Sequence, residues 1–154
     1  MSGFLSSLVD QFQAELERRE NRPFLKAAMA ACALVAVADG EVSFPEKVRV
    51  DQVLETLDAL KVFDPHEGID LFNAFADDIF ADLKKGREAA LEAILEGAPD
   101  TKAKTLLIRI CLAVSEANGE KALADQVEIV SLCSRLGVDP SHCGLYVDDL
   151  KPLI

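Results

Sequence analysis

Residues 32–46 read CALVAVADGEVSFPE and residues 111–125 read CLAVSEANGEKALAD. Laid one above the other without a gap, they bring Cys32 over Cys111, Val35 over Val114, Ala38 over Ala117, Gly40 over Gly119 and Glu41 over Glu120. The register continues beyond the turn, where Val48 meets Val127, Val50 meets Ile129 and Leu57 meets Leu136. In both copies a nearly continuous apolar run leads into a short polar turn, and then into a stretch whose apolar residues recur at helical spacing. Each glycine stands where a helix end needs a left-handed backbone. Each unit therefore reads as a buried helix, a turn and an amphipathic helix. The chain is expected to be an all-α compact bundle of αα-hairpins with an approximate internal twofold repeat, the first half covering about 23–60 and the second about 100–137.

The rest of the chain fits around these units as one domain spanning 1–154. Phe4, Leu5, Leu8, Val9, Phe12 and Leu16 share one face of an amphipathic helix over 1–20, and such a face most often packs on a core. Arg22-Pro23 starts the first central helix, Pro23–Ala38, with Pro near its first turn. Ser43-Phe44-Pro45-Glu46 is a capping box with Pro inside the helix start. The helix that follows lines up Val50, Val53, Leu54, Leu57 and Leu60. Asp64-Pro65 opens a helix running to about Leu83, Lys84-Lys85-Gly86 is expected to break it, and a shorter helix covers Arg87 to Glu96. Asp100 opens the second central helix, to Ala117, and Asn118-Gly119 stops it. A last long helix carries Ile129, Leu132, Cys133 and Leu136 on one stripe up to Gly137, and Asp139-Pro140 starts a short closing segment. Strand-like alternation with hairpin turns is missing throughout.

With 154 residues, half of them apolar, the chain can bury a sizeable core. No uncharged apolar run reaches the ~20 residues of a membrane span. The opening MSGFLSS lacks the basic stretch of a secretory signal, so a cytoplasmic location is expected. A net charge of −11 and a pI near 4.6 argue against nucleic acid, which requires a basic face, and favour cations or basic protein surfaces. The four cysteines, Cys32, Cys111, Cys133 and Cys143, form no C-x-x-C pair and are expected to be reduced. His142 and Cys143 with Cys133 match no common zinc frame.

Asp39-Gly40-Glu41, with Glu46 five residues on, looks like the back half of a calcium loop. With Gly40 as the sixth loop residue, the first and third are Val35 and Val37, neither of which can ligate, so an ordinary EF-hand is excluded. A weaker site remains possible in chemical terms. Each turn follows the C-terminus of a buried helix, whose free carbonyls and negative dipole end favour a cation. Asp39, Glu41 and Glu46 add hard oxygens at the first turn, and Asn118, Glu120 and Asp125 at the second. That donor set suits Ca²⁺, or Mg²⁺ and Mn²⁺, better than Zn²⁺. Capping explains part of the pattern without a metal. Yet Ser43 becomes Ala122 and Pro45 becomes Ala124 in the second copy, while the acids at the ends of the turn are kept.

The Ala-rich helix ending in Ala38-Asp39-Gly40-Glu41, the acid five residues later and the degenerate second copy resemble the tellurite-resistance TerB family and its TerB-like relatives over roughly Leu25 to Leu136. The resemblance implies a compact all-α fold, acidic residues that chelate a divalent metal, and a role in chemical or metal-oxyanion stress beside other proteins of that system, membrane-associated ones included. The family's acids map to Asp39, Glu41, Glu46, Glu120 and Asp125, and Asn118 stands where the pattern often has Asp. A catalytic role has little support. The chain lacks a nucleophile motif, a phosphate loop and H-E-x-x-H, and His66 and His142 lie outside both turns. No organic cofactor is expected. Two functions remain: a non-enzymatic, divalent-cation-binding protein of a stress system, or a metal-independent adaptor that offers an acidic face to a basic partner.

Overall fold

A computed structural model describes residues 21–38, 40–57, 60–116 and 123–143, with the side chains of residues 123, 124, 142 and 143 excepted. The expected helix over 1–20 lies outside these residues. Everything regular among them is helical. Helix α1 covers 21–36 and is followed by α2 (Phe44–Thr56), α3 (Pro65–Ala81), α4 (Leu83–Gly97), α5 (Thr101–Ser115), α6 (Leu123–Leu136) and a 3₁₀ turn (Pro140–Cys143).

Helix α1 is the centre of the core. Leu25 and every residue from Ala27 to Ala36 are fully buried, and only Lys26 breaks the run outward. Six alanines between positions 27 and 36 keep the helix thin, so neighbours can approach on all sides. Helix α4 comes close at Gly97. A Cβ on Gly97 would stand 2.0 Å from the Pro23 carbonyl oxygen. Pro23 lies within this helix, whose described part begins at Asn21. Helix α5 carries the second large apolar surface, with Leu107, Ile108, Ile110, Cys111, Leu112 and Val114 buried. Around these two, α3 packs on α4, α5 on α6, and α2 bridges α3 and α5.

The connections follow from capping chemistry. Asp64, Asp82 and Asp100 each accept a hydrogen bond from a backbone N–H of the helix they precede, at 2.9, 3.1 and 2.8 Å. At the end of α6, Gly137 adopts φ +72 and the Val138 N–H donates to the Cys133 carbonyl at 3.0 Å, a Schellman closure. The break between α3 and α4 falls at Asp82, not at Lys84-Lys85-Gly86, which forms the first turn of α4. Gly86 serves packing: a Cβ there would meet the Ile79 Cα at 2.5 Å, so the glycine lets α4 fold back tightly on α3. On α2 the buried stripe is Val50, Val53 and Leu54. Leu57 is the C-cap, and Leu60 is buried from the turn beyond.

Candidate cation turns and their relatives

Helix α1 ends by tightening. The Val37 N–H donates to the Ala33 carbonyl at 3.0 Å, Ala38 to Val35 at 3.2 Å and Gly40 to Val37 at 2.9 Å. Gly40 then takes φ +97, a conformation that a Cβ disfavours. This turn delivers the chain to Glu41, which is exposed, and to the capping box at Ser43. There the Ser43 N–H and hydroxyl donate to Glu46 Oε1 at 3.0 and 2.8 Å, and the Glu46 N–H donates to Ser43 Oγ at 3.2 Å. The box holds Glu46 in a single inward pose. Its side chain is 1% exposed.

Asp125 occupies the corresponding place in the first turn of α6 and is 2% exposed. These two acids are the buried charged residues among those described. Carboxylates enclosed to this degree are held by partners, and both of these have partners within the chain. Among the acids of the described residues, enclosure has fallen on the two that follow the D/N-G-E stretches at a distance of five residues from the Glu. Asp39, Asn118 and Glu120 lie outside the described residues. Among the described residues, no group of three His, Cys, Asp or Glu gathers closely enough to hold a metal ion. The donors that are placed, carboxylate and carbonyl oxygens, fit a hard divalent cation.

Two residues that the sequence reading passed over tie the units together. Arg49, three residues beyond Glu46, donates from Nη1 to the Ala113 carbonyl in the last turn of α5 at 3.0 Å. Glu128, three residues beyond Asp125, lines a groove with Leu34, Val37 and Ala38 at the end of α1. It is paired with Arg87 Nη2 at 2.9 Å. Arg49 thus ties α2 to the end of α5, and Glu128 brings α6 to the groove at the end of α1. The spacing of three residues from each acid, which puts both on one helical face, was the available signal.

Cys32, Cys111 and Cys133 are buried, free thiols. Cys111 meets Cys32 where α1 and α5 face each other, and that thiol contact, reinforced by burial, pushes the Cys111 thiol well above its ordinary value of 9.0. Such a thiol is protonated and unreactive at neutral pH. His66 is exposed. The side chains of His142 and Cys143 lie outside the described residues. No helix among the described residues is long and apolar enough to cross a membrane.

Comparison with known proteins places the sequence in a family. The family model described as tellurite resistance protein TerB matches residues 25–145. A tellurium resistance protein TerB from Alcaligenes sp is 31% identical over 110 residues, which cover 71% of this chain and 90% of that protein. No solved structure matches. A match through both central helices and both turns establishes that the chain belongs to the TerB family of tellurite-resistance proteins.

Proposed function

We propose that this chain is a non-enzymatic, cytoplasmic component of a tellurite-resistance-like stress system and that it binds a divalent cation at its D/N-G-E turns. One observation carries the reading: the two buried charged side chains among the described residues are Glu46 and Asp125, the acids that close the two turns. A capping box alone needs one carboxylate oxygen and works at the surface. Two enclosed carboxylates place negative charge where water screens it least, beside the helix ends. The negative ends of α1 and α5 and their last carbonyls add to that field. Asp39, Glu41 and Glu46 would serve the first turn, and Asn118, Glu120 and Asp125 the second, with Ca²⁺, Mg²⁺ or Mn²⁺ favoured over Zn²⁺ by the oxygen donors.

The test is a titration of chelator-treated protein with calcium, magnesium, manganese and zinc, following the melting temperature. A ligand that binds only the native state stabilises it by RT ln(1 + [L]/Kd), about 2.7 kcal/mol at a hundredfold excess over Kd. A rise with calcium or manganese is expected, and Glu46→Gln should diminish it. No movement with any of the four at millimolar concentration would leave the acidic-adaptor function in its place.

A further inference from the structure

Helix α6 packs on α5 after a short connection, so it runs back along α5 and ends beside that helix's beginning. The 3₁₀ turn Pro140–Cys143 packs on α5 as well. The chain therefore leaves the described residues near the start of α5. A groove of about 480 Å³ opens there between the starts of α1 and α5 and the end of α4, lined by Asn21, Phe24, Gly97, Lys102, Ala103 and Leu106. Asp100 reaches its edge, with its carboxylate turned to its own helix, where it accepts the Ala103 N–H at 2.8 Å. Lys102 is exposed, and Ala103 and Leu106 are half-buried. The rim is thus cationic and the wall apolar, and the start of α5 adds the positive end of a helix.

We infer that residues 144–154 lie in this groove as a strap across the starts of α1 and α5. They read GLYVDDLKPLI, and Leu145, Tyr146, Val147, Leu150, Leu153 and Ile154 are apolar. Such a run is stabilised by leaving water, and the groove is the apolar wall beside which it begins. Fully extended, the segment reaches ~36 Å, more than the roughly 22 Å length of α5, so the whole groove is within its span. Asp148 and Asp149 fall in its middle, where Lys102 and the positive end of α5 favour them. The residues on the other side of the groove, ahead of Asn21, suit it less. Glu17-Arg18-Arg19-Glu20 would set four charged side chains against the apolar wall, and Leu16 is the first apolar residue before them. The TerB match ends at residue 145, so most of the strap lies beyond the shared domain. Held this way, it covers apolar surface that the described helices leave open. None of this depends on a cation at the turns.

Tyr146 is the single tyrosine of a chain without tryptophan, so its fluorescence reports on the strap alone. Acrylamide quenching of the full chain is compared with that of the same chain unfolded in urea. Quenching several-fold weaker in the folded chain is expected, and the same at every protein concentration. Leu106→Asp should raise it most of the way to the unfolded value, and Lys102→Glu part of the way. Circular dichroism checks that Leu106→Asp is folded. Should it not be, Ala103→Asp, three residues away on the same helical face, takes its place with the same expectation. A folded wild type quenched as readily as the unfolded chain overturns the inference. Protection of Tyr146 that survives the groove variants overturns it too, and leaves the groove to the segment ahead of Asn21. Protection that appears only as protein concentration rises gives the groove to a second copy of the chain and likewise overturns it.

Discussion

Helix α1 and helix α5 are both rich in apolar residues, yet α1 is enclosed on every side from Ala27 to Ala36 while α5 keeps an exposed face. Between Leu25 and Ala36 only Lys26 reaches solvent. On α5, Thr101, Lys102 and Arg109 are exposed, and Ala103 to Leu106 and Ala113 are half-buried. The count of apolar residues does not make the difference. Lys102, Arg109, Ala113 and Glu116 fall on one face of α5 at helical spacing, and α1 has no such face. The alanines of α1 then allow a ring of neighbours to close on it. The lesson is that small residues free of a charged face, more than large apolar ones, mark the central helix.

The sharpest way to break this contrast is to enlarge a small residue on each helix. Ala31→Leu in fully buried surroundings should destabilise the protein by about 3 kcal/mol, the upper part of the overpacking range. Ala113→Leu on the half-buried face of α5 should cost less than about 1 kcal/mol. Urea unfolding midpoints measure both, and equal costs would show α1 to be no more enclosed than α5. Next in size is Gly40→Ala, where φ is +97 and nothing stands within 4 Å of the added Cβ. The cost, about 1–2 kcal/mol, comes from the backbone alone and should be the same with and without cation.

The two turns offer a finer contrast. Asp39→Asn should weaken cation binding at the first turn toward that of the second, and Asn118→Asp should strengthen the second, since ligand charge tunes affinity. Calorimetry that finds both variants unchanged would sever the sites from their acids. The smallest effect lies where α1 and α5 meet. The folded-state pKa of Cys111 is raised above the unfolded value, so the folded protein holds its proton longer than the unfolded chain does. Its contribution is complete below the unfolded pKa, near 9.0, and is lost as pH rises from there through the folded pKa. Thermal melts from pH 8 upward should show stability falling, and Cys111→Ala should flatten that decline.

Much of this was readable in the residues. The all-helical pattern, the capping box at Ser43, the left-handed Gly40 and the helix end at Gly137 are local chemistry, which a sequence displays directly. Gly86 misled because a glycine after two lysines looks like a break. Its true constraint is the Ile79 backbone, reached only when α4 folds back. The burial of Glu46 and Asp125 was not legible either, since acids near helix starts are ordinarily solvated. Arg49 belongs to no motif, and nothing in its neighbours along the chain singles it out. Its partner at Ala113 is 64 residues away, and only the crossing of α2 over α5 brings them together.

The enclosure of α1 also sets a clock. Amide protons of a helix wrapped on all sides exchange with solvent only when most of the molecule opens, whereas a helix with a wet face can shed protection through smaller excursions. In deuterium exchange, amides from Ala28 to Ala36 should therefore be the slowest in the protein, and those near Arg109 on α5 faster. Whatever the end of α1 carries is therefore anchored to the part of the molecule that opens last, and its geometry outlasts every partial unfolding.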